Sequence, residues 1–301
     1  MLPAKIIYSS HYSVHLEHHV FPTEKYQLVK EQLIREGWAE TCDFLEPGLP
    51  PRALLQRVHQ ASFLDDLEAL RLTPRTWRAE LPVNRETIDS ARYAVAGTEL
   101  AVCEALRQGV GIHLGGGHHH AFPGHAEGFC FLNDVAIGVL SAFLQGVRKV
   151  AVVDCDLHQG NGTAVIFQGN PRVFTFSIHE EDIYPPKERG SLDIGLPAGA
   201  GDDQYLSSLE GGLTKVFRAD PDLVLYLGGT DPYRGDKLGL LELTMEGLRQ
   251  RDEMVLGGCF TRKIPFVTTF SGGYAVQIED TIELHAQTVR LAIDLMKRWL
   301  R

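Results

Sequence analysis

Three histidines in a row, His118, His119 and His120, follow three glycines in the run GIHLGGGHHHAFPGHAEGFCF, Gly111 to Phe131. Consecutive imidazoles are costly to leave unpaired in a core, and glycines let backbone approach a ligand closely. Imidazoles can act as general acid and base near neutrality, although histidines after glycines can equally be turn residues bonded to nearby carbonyls. A second cluster, VVDCDLHQGNG, spaces Asp154, Asp156 and His158 two residues apart, which puts them on one side of an extended strand. Two hard oxygens and an imidazole can be adjacent metal ligands. A carboxylate from another strand end, Asp231 in GGTD, would complete a three-ligand site with an open position. The plainer alternative is that Asp156 and His158 cap a helix that starts near Asn161. Tyr274, in SGGYA, follows two glycines that allow a sharp turn, and a phenol there could stabilise charge on a polarised carbonyl oxygen. Phe129 and Tyr184 are either packing aromatics or walls of a narrow channel.

These clusters need a scaffold that brings them together. Each follows a short, almost continuously apolar run: 112–114, 149–154, 172–178, 222–227 and 265–270, with 5–9 as a further strand. Such runs read as strands buried on both faces of a parallel sheet. Between them lie helical patterns at 86–108, 133–145, 204–219, 243–260 and 281–300, with 24–37 and 50–67 earlier in the chain. This alternation predicts an α/β fold of right-handed βαβ units, a mostly parallel sheet sandwiched by helices, in one domain over 1–301. Ligands in such sheets bind beyond the carboxyl ends of the strands, where all five clusters fall.

Composition narrows the function classes. Apolar residues are 44% and charged residues 23% of the 301, which suits a globular domain with a large core. A formal charge of −10 argues against a nucleic-acid surface and mildly favours a cationic substrate such as lysine or a polyamine. The five cysteines form no CxxC pair and are odd in number, which points to a reducing compartment. With no signal sequence and no long apolar run, a cytoplasmic protein without membrane contact is expected.

The motifs GGGHHH…GFCFLND, VVDCDLHQGNG, GTDPYRGDKLG and SGGY, in this order, resemble the zinc-dependent histone deacetylase superfamily with its arginase-like fold. HQGNG, IYP, GTDPYRGDKLG and EGLRQRDEMV are most similar to the class IV branch and its bacterial relatives. The resemblance implies zinc ligands Asp156, His158 and Asp231. It implies a catalytic pair His119 and His120, Asp154 orienting the first histidine, and Tyr274 as the transition-state phenol. Asn161 stands where some relatives carry an aspartate, so His120 is expected to be held by a neutral group. Gly128, Phe129, Tyr184 and Gly273 would line an acyl-lysine channel. Asp154, Asp156, His158, Ser177 and Ile178 would surround a structural monovalent cation, potassium.

The expected reaction is hydrolysis of an acyl group, acetyl or longer, from the ε-amine of lysine in a peptide or protein. An acylated small amine such as an acetylpolyamine is the alternative substrate, and a silent acyl-lysine binding module is a third reading. ELPVNRETIDS carries no clear acid to clamp a peptide backbone, Glu80 being the nearest. The segment 14–21, VHLEHHVF, is expected at a pocket rim or a partner surface.

Overall fold

Val150 and Val152 pack into one hydrophobic cluster while Ala151 and Val153 pack into another. That alternation marks a strand with both faces buried. The computed structural model describes residues 2–299, so Leu300, the last residue of the helix expected at 281–300, lies outside the described residues. The strands are β1 (Ile6–Ile7), β2 (Phe44–Leu45), β3 (Val110–His113), β4 (Val150–Asp154), β5 (Val173–Glu180), β6 (Leu192–Leu196), β7 (Leu223–Leu227) and β8 (Phe266–Thr269). They form a single sheet in the order β2-β1-β3-β8-β7-β4-β5-β6, and every pairing between them is parallel.

Helices cover both faces. Apolar residues of α4 (Arg85–Gln108) and α5 (Asp134–Leu144), among them Val102 and Val139, meet one face. The other is covered by α1 (Lys25–Arg35), α7 (Asp202–Arg218), α8 (Met245–Thr261) and α9 (Ile278–Trp299). This three-layer α/β architecture matches the expectation, and the five main strands fall within two residues of their expected bounds. No helix among the described residues is long and apolar enough to cross a membrane.

Two strands escaped the sequence pattern, and one helix was over-extended. β2 is two residues long, and β6 is an edge strand with alternate residues exposed. The helix expected over 50–67 is two, α2 (Arg52–Leu55) and α3 (Ala61–Glu68). Between them Gln60 turns its backbone N–H to the Pro123 carbonyl.

Gly111 sets how closely α4 lies on β3. A Cβ built there would stand 2.0 Å from the Ala101 carbonyl oxygen, and backbone cannot yield as a side chain would. Gly111→Ala is therefore expected to cost about 3 kcal/mol, the upper part of the range for overpacking. A thermal melt should show a clearly lowered midpoint, and an unchanged one would mean that α4 can shift outward.

Candidate active site

The open ends of β3, β4, β5, β7 and β8 lead into loops that meet around one cavity of about 370 Å³. After β3, Gly116 and Gly117 take φ of 71° and 79°, a left-handed conformation open to glycine at little cost. Gly117 also passes within 2.7 Å, measured from a built Cβ, of the Ser271 backbone. The chain turns back beneath the cavity and buries His119 and His120, 3% and 5% exposed.

Their rings are adjacent, with Nε2 atoms 3.1 Å apart. His119 Nδ1 lies 2.6 Å from Asp154 Oδ2, and His120 Nδ1 lies 2.8 Å from Asn161 Oδ1. Burial disfavours the charged form of both, but at His119 the Asp154 and Asp156 carboxylates outweigh it and hold the pKa up at about 9. His120 has only the neutral Asn161 beside it, and burial, with His119 and His158 adding to it, drives its pKa well below the usual imidazole range. Of the two rings, His119 thus has the stronger hold on a positive charge. Asn161 opens the short helix α6 (Asn161–Phe167).

Asp156, His158 and Asp231 offer ligand atoms within 4.8 Å of one another. β4 ends at Asp154, so strand alternation does not align Asp156 and His158 as the sequence suggested. The following loop does so by local bonds, from the Asp156 N–H to Asp154 Oδ1 at 3.1 Å and from the His158 N–H to Asp156 Oδ1 at 2.9 Å. His158 Nδ1 faces both carboxylates, 3.3 Å from Asp156 Oδ1 and 3.4 Å from Asp231 Oδ2. Asp231 Oδ1 accepts from the Leu157 N–H at 3.0 Å, whereas Oδ2 is buried and makes no hydrogen bond among the described residues. A buried carboxylate oxygen left over in this way, beside an imidazole nitrogen and a second carboxylate, fits a divalent cation. The helix-cap alternative for Asp156 and His158 is not realised, because Gly160 occupies the N-cap of α6.

The loop after β8 closes the cavity. Ser271 Oγ and the Gly272 N–H both donate to Asp156 Oδ2 at 2.7 Å, and the Tyr274 N–H donates to Asp236 Oδ2 at 2.7 Å. Tyr274 lines the cavity, and burial, reinforced by Asp231 and Asp156, raises its pKa far enough to keep the phenol protonated. Gly273 takes φ of 150° and faces away, with a built Cβ 2.3 Å from Thr230 Oγ1, so it shapes this loop and does not line the cavity as expected. Gly128, Phe129 and Tyr184 do line it. Ser177 lies in register with Asp154 on β5, and its hydroxyl is 2.9 Å from His179 Nδ1; Ile178 follows it, fully buried.

Further residues contribute, of which Lys25 was not anticipated. Phe21 stacks on Phe129 with centroids 6.0 Å apart and lies edge-on to Tyr274, which places the end of the 14–21 segment at the pocket. Glu80 also lines the mouth, with a left-handed φ of 58°. Lys25 is wholly buried, donates to the Ser271 carbonyl at 2.9 Å and has its Nζ 5.4 Å from the centre of the Tyr274 ring. Burial lowers its pKa to about 8, against the pull of Asp231, Asp156 and Asp236. Arg251, buried in α8 and paired with Asp252, donates to the carbonyls of Cys155 and Gly229, each close to a proposed ligand. The EGLRQRDEMV run was the only sequence signal of it.

A parallel α/β sheet carrying a histidine pair, a carboxylate-imidazole cluster and a tyrosine at its carboxyl edge defines a metal-dependent hydrolase. The histone deacetylase domain family matches residues 19–289. The chain is 32% identical to histone deacetylase 2 of Arabidopsis thaliana, over 92% of this chain and 77% of that one. It is 40% identical to an uncharacterized protein of Picosynechococcus sp., over 93% and 94% of the respective chains. The crystal structure of the HDA15 HD domain superposes with a TM-score of 0.80 at 23% identity, covering 99% of this chain and 93% of that one, and shows the same fold. The chain belongs to the histone deacetylase family.

Proposed function

We propose that the protein is a zinc-dependent hydrolase that removes acyl groups from the ε-amine of lysine. The observation that carries this reading is the convergence of the metal cluster, the histidine pair and Tyr274 at the floor of one narrow, aromatic-walled cavity. Asp156, His158 and Asp231 would hold the zinc, which three protein ligands and an open position suit. When bound, zinc supplies a Lewis acid for the amide carbonyl and the attacking water.

The chain's own groups do the rest. Phe129 and Tyr184, with Gly128 between the walls, would hold the lysine methylenes and exclude bulk water. His120, its Nδ1 held by Asn161, takes the proton of the attacking water on Nε2 as the water oxygen bonds to the acyl carbon. His119, braced by Asp154, steadies the pair. Tyr274 donates a hydrogen bond to the oxygen of the former carbonyl as charge collects there. When the carbon–nitrogen bond breaks, the histidine pair returns the proton to the leaving nitrogen, and the remaining hydroxyl proton follows it, giving a carboxylate and the lysine ammonium. Asp154, Asp156, His158, Ser177 and Ile178 would surround a structural potassium ion, a reading supported by the register of Ser177 against Asp154.

The motif runs favour the class IV branch, and the free cysteines are compatible with a cytoplasmic location. Zinc-loaded protein is expected to turn over lysine peptides bearing acetyl through myristoyl groups, with the chain-length optimum measuring the pocket. A chelator should abolish turnover and added zinc should restore it. Turnover confined to acetylpolyamines would move the substrate to small amines, and zinc-independent acyl-lysine binding without turnover would leave only a binding module.

A further inference from the structure

Glu127 is buried at 5% exposure directly behind the histidine pair, yet it touches neither the pair nor the metal cluster. It sits at the start of a tight turn closed by the Glu127 N–H to Cys130 O at 3.0 Å and the Cys130 N–H to Glu127 O at 2.9 Å. The two central residues, Gly128 and Phe129, have φ of 47° and 63°, as a type I′ turn requires. The turn that sets Phe129 in the channel wall therefore also aims the Glu127 carboxylate back toward α6. There Oε1 accepts from Asn161 Nδ2 at 2.8 Å, and Oε2 is paired with Arg78, with His125 Nδ1 at 3.8 Å.

The donors and acceptors along this line leave one arrangement. A carboxylate can only accept, so Asn161 must turn its NH2 to Glu127. Its Oδ1 then accepts from the Gly162 N–H at 2.9 Å and faces His120 Nδ1 at 2.8 Å. An oxygen facing Nδ1 requires the proton on Nδ1, which leaves Nε2 of the neutral ring as an acceptor, 3.1 Å from His119 Nε2 on a ring that lines the cavity. We infer that Glu127, anchored by Arg78 and acting through the Asn161 amide, is a positioning residue that fixes the tautomer of His120. This rests on the reading of His120 as the proton acceptor in amide hydrolysis.

A polarity swap tests it. In Glu127→Gln the side chain can satisfy Arg78 or Asn161 but not both, so kcat/KM is expected to fall about 10- to 100-fold, the worth of a hydrogen bond to a charged group. Asn161→Asp places two carboxylates face to face and should fall comparably. In the double variant E127Q/N161D the glutamine NH2 donates to the new carboxylate and its oxygen accepts from Arg78, so kcat/KM should return to within about threefold of the parent, a strong coupling in a double-mutant cycle.

The second readout is independent of turnover: 15N NMR of histidine-labelled, zinc-loaded protein, with the His120 signals assigned by their loss in His120→Gln. The parent should show the Nδ1–H form, E127Q should lose it, and the double variant should regain it. Unchanged kcat/KM and tautomer in E127Q, or a double variant no better than the poorer single, would overturn the proposal. Thermal melts of each variant identify loss of fold, in which case the tautomer of the parent decides: the Nε2–H form would overturn the proposal and the Nδ1–H form would bear it out. A parent that hydrolyses no amide would defeat the functional reading, while the NMR result would still decide the role of Glu127.

Discussion

Tyr274→Phe is expected to lower kcat by about 100- to 1000-fold, the loss that follows removal of one donor to a developing oxyanion. The hydroxyl makes no hydrogen bond among the described residues and faces the cavity, while the ring packs edge-on against Phe21 and Phe129. Phenylalanine keeps those ring contacts and the backbone bond to Asp236. KM should therefore change by less than about threefold and the melting temperature hardly at all, since the lost interaction forms only in the transition state. Steady-state kinetics on an acetyl-lysine peptide, with a melt alongside, check both halves. A kcat within tenfold of the parent would remove Tyr274 from the chemistry.

Asp231→Asn should have the other large effect and should act in opposite directions on activity and stability. Asparagine can still accept from the Leu157 N–H, but it withdraws the charge that the buried Oδ2 offers to a cation. Turnover is expected to drop at least about 1000-fold, beyond the 10- to 100-fold typical of losing a mere outer-shell partner. The rise in melting temperature on adding zinc should vanish. In metal-free protein the same change should stabilise the fold, because burial, with Asp156 nearby, raises the Asp231 pKa to about 7. An acid whose folded pKa exceeds its unfolded value weakens the fold progressively as pH rises between the two. The gain from asparagine should thus be absent below about pH 4, near the unfolded value, and complete above pH 7. Melts in chelator across that range test the sign, and a variant that is less stable than the parent at pH 8 would contradict it.

The sheet and most of the site could be read from residue order because the informative positions are local. A buried parallel strand must be apolar for its whole length and must end abruptly, so the runs before His118, Asp154 and Asp231 announced both themselves and the edge they share. The edge strands β2 and β6 lack that signature, being short or half exposed. The interior places of Lys25 and Arg251 were hidden for a different reason, although Arg251 lies in the EGLRQRDEMV motif. Each is a charged residue in a helix with other charges, which reads as a solvent-facing position, and what makes it interior lies far away in the chain. The Lys25 partner, Ser271, is 246 residues distant. Glu127 was hidden likewise, because its partners Arg78 and Asn161 flank it at long range. Gly273 was misplaced because the sequence indicates a turn but not which of its sides meets the cavity.

The position of β8 bears on how the chain is made. It is the last strand among the described residues, yet it lies between β3 and β7 in the interior of the sheet. During synthesis, until residues 266–269 leave the ribosome, the two halves of the sheet present each other with unpaired edges and no strand to join them. The Ser271 and Gly272 donors that hold Asp156 are missing over the same interval. Folding of the sheet must therefore wait for β8 and then close long-range contacts together, which favours slow, concerted assembly and exposes the nascent polypeptide to aggregation. A cell making this enzyme has reason to shelter those two edges with a chaperone until the final strand arrives.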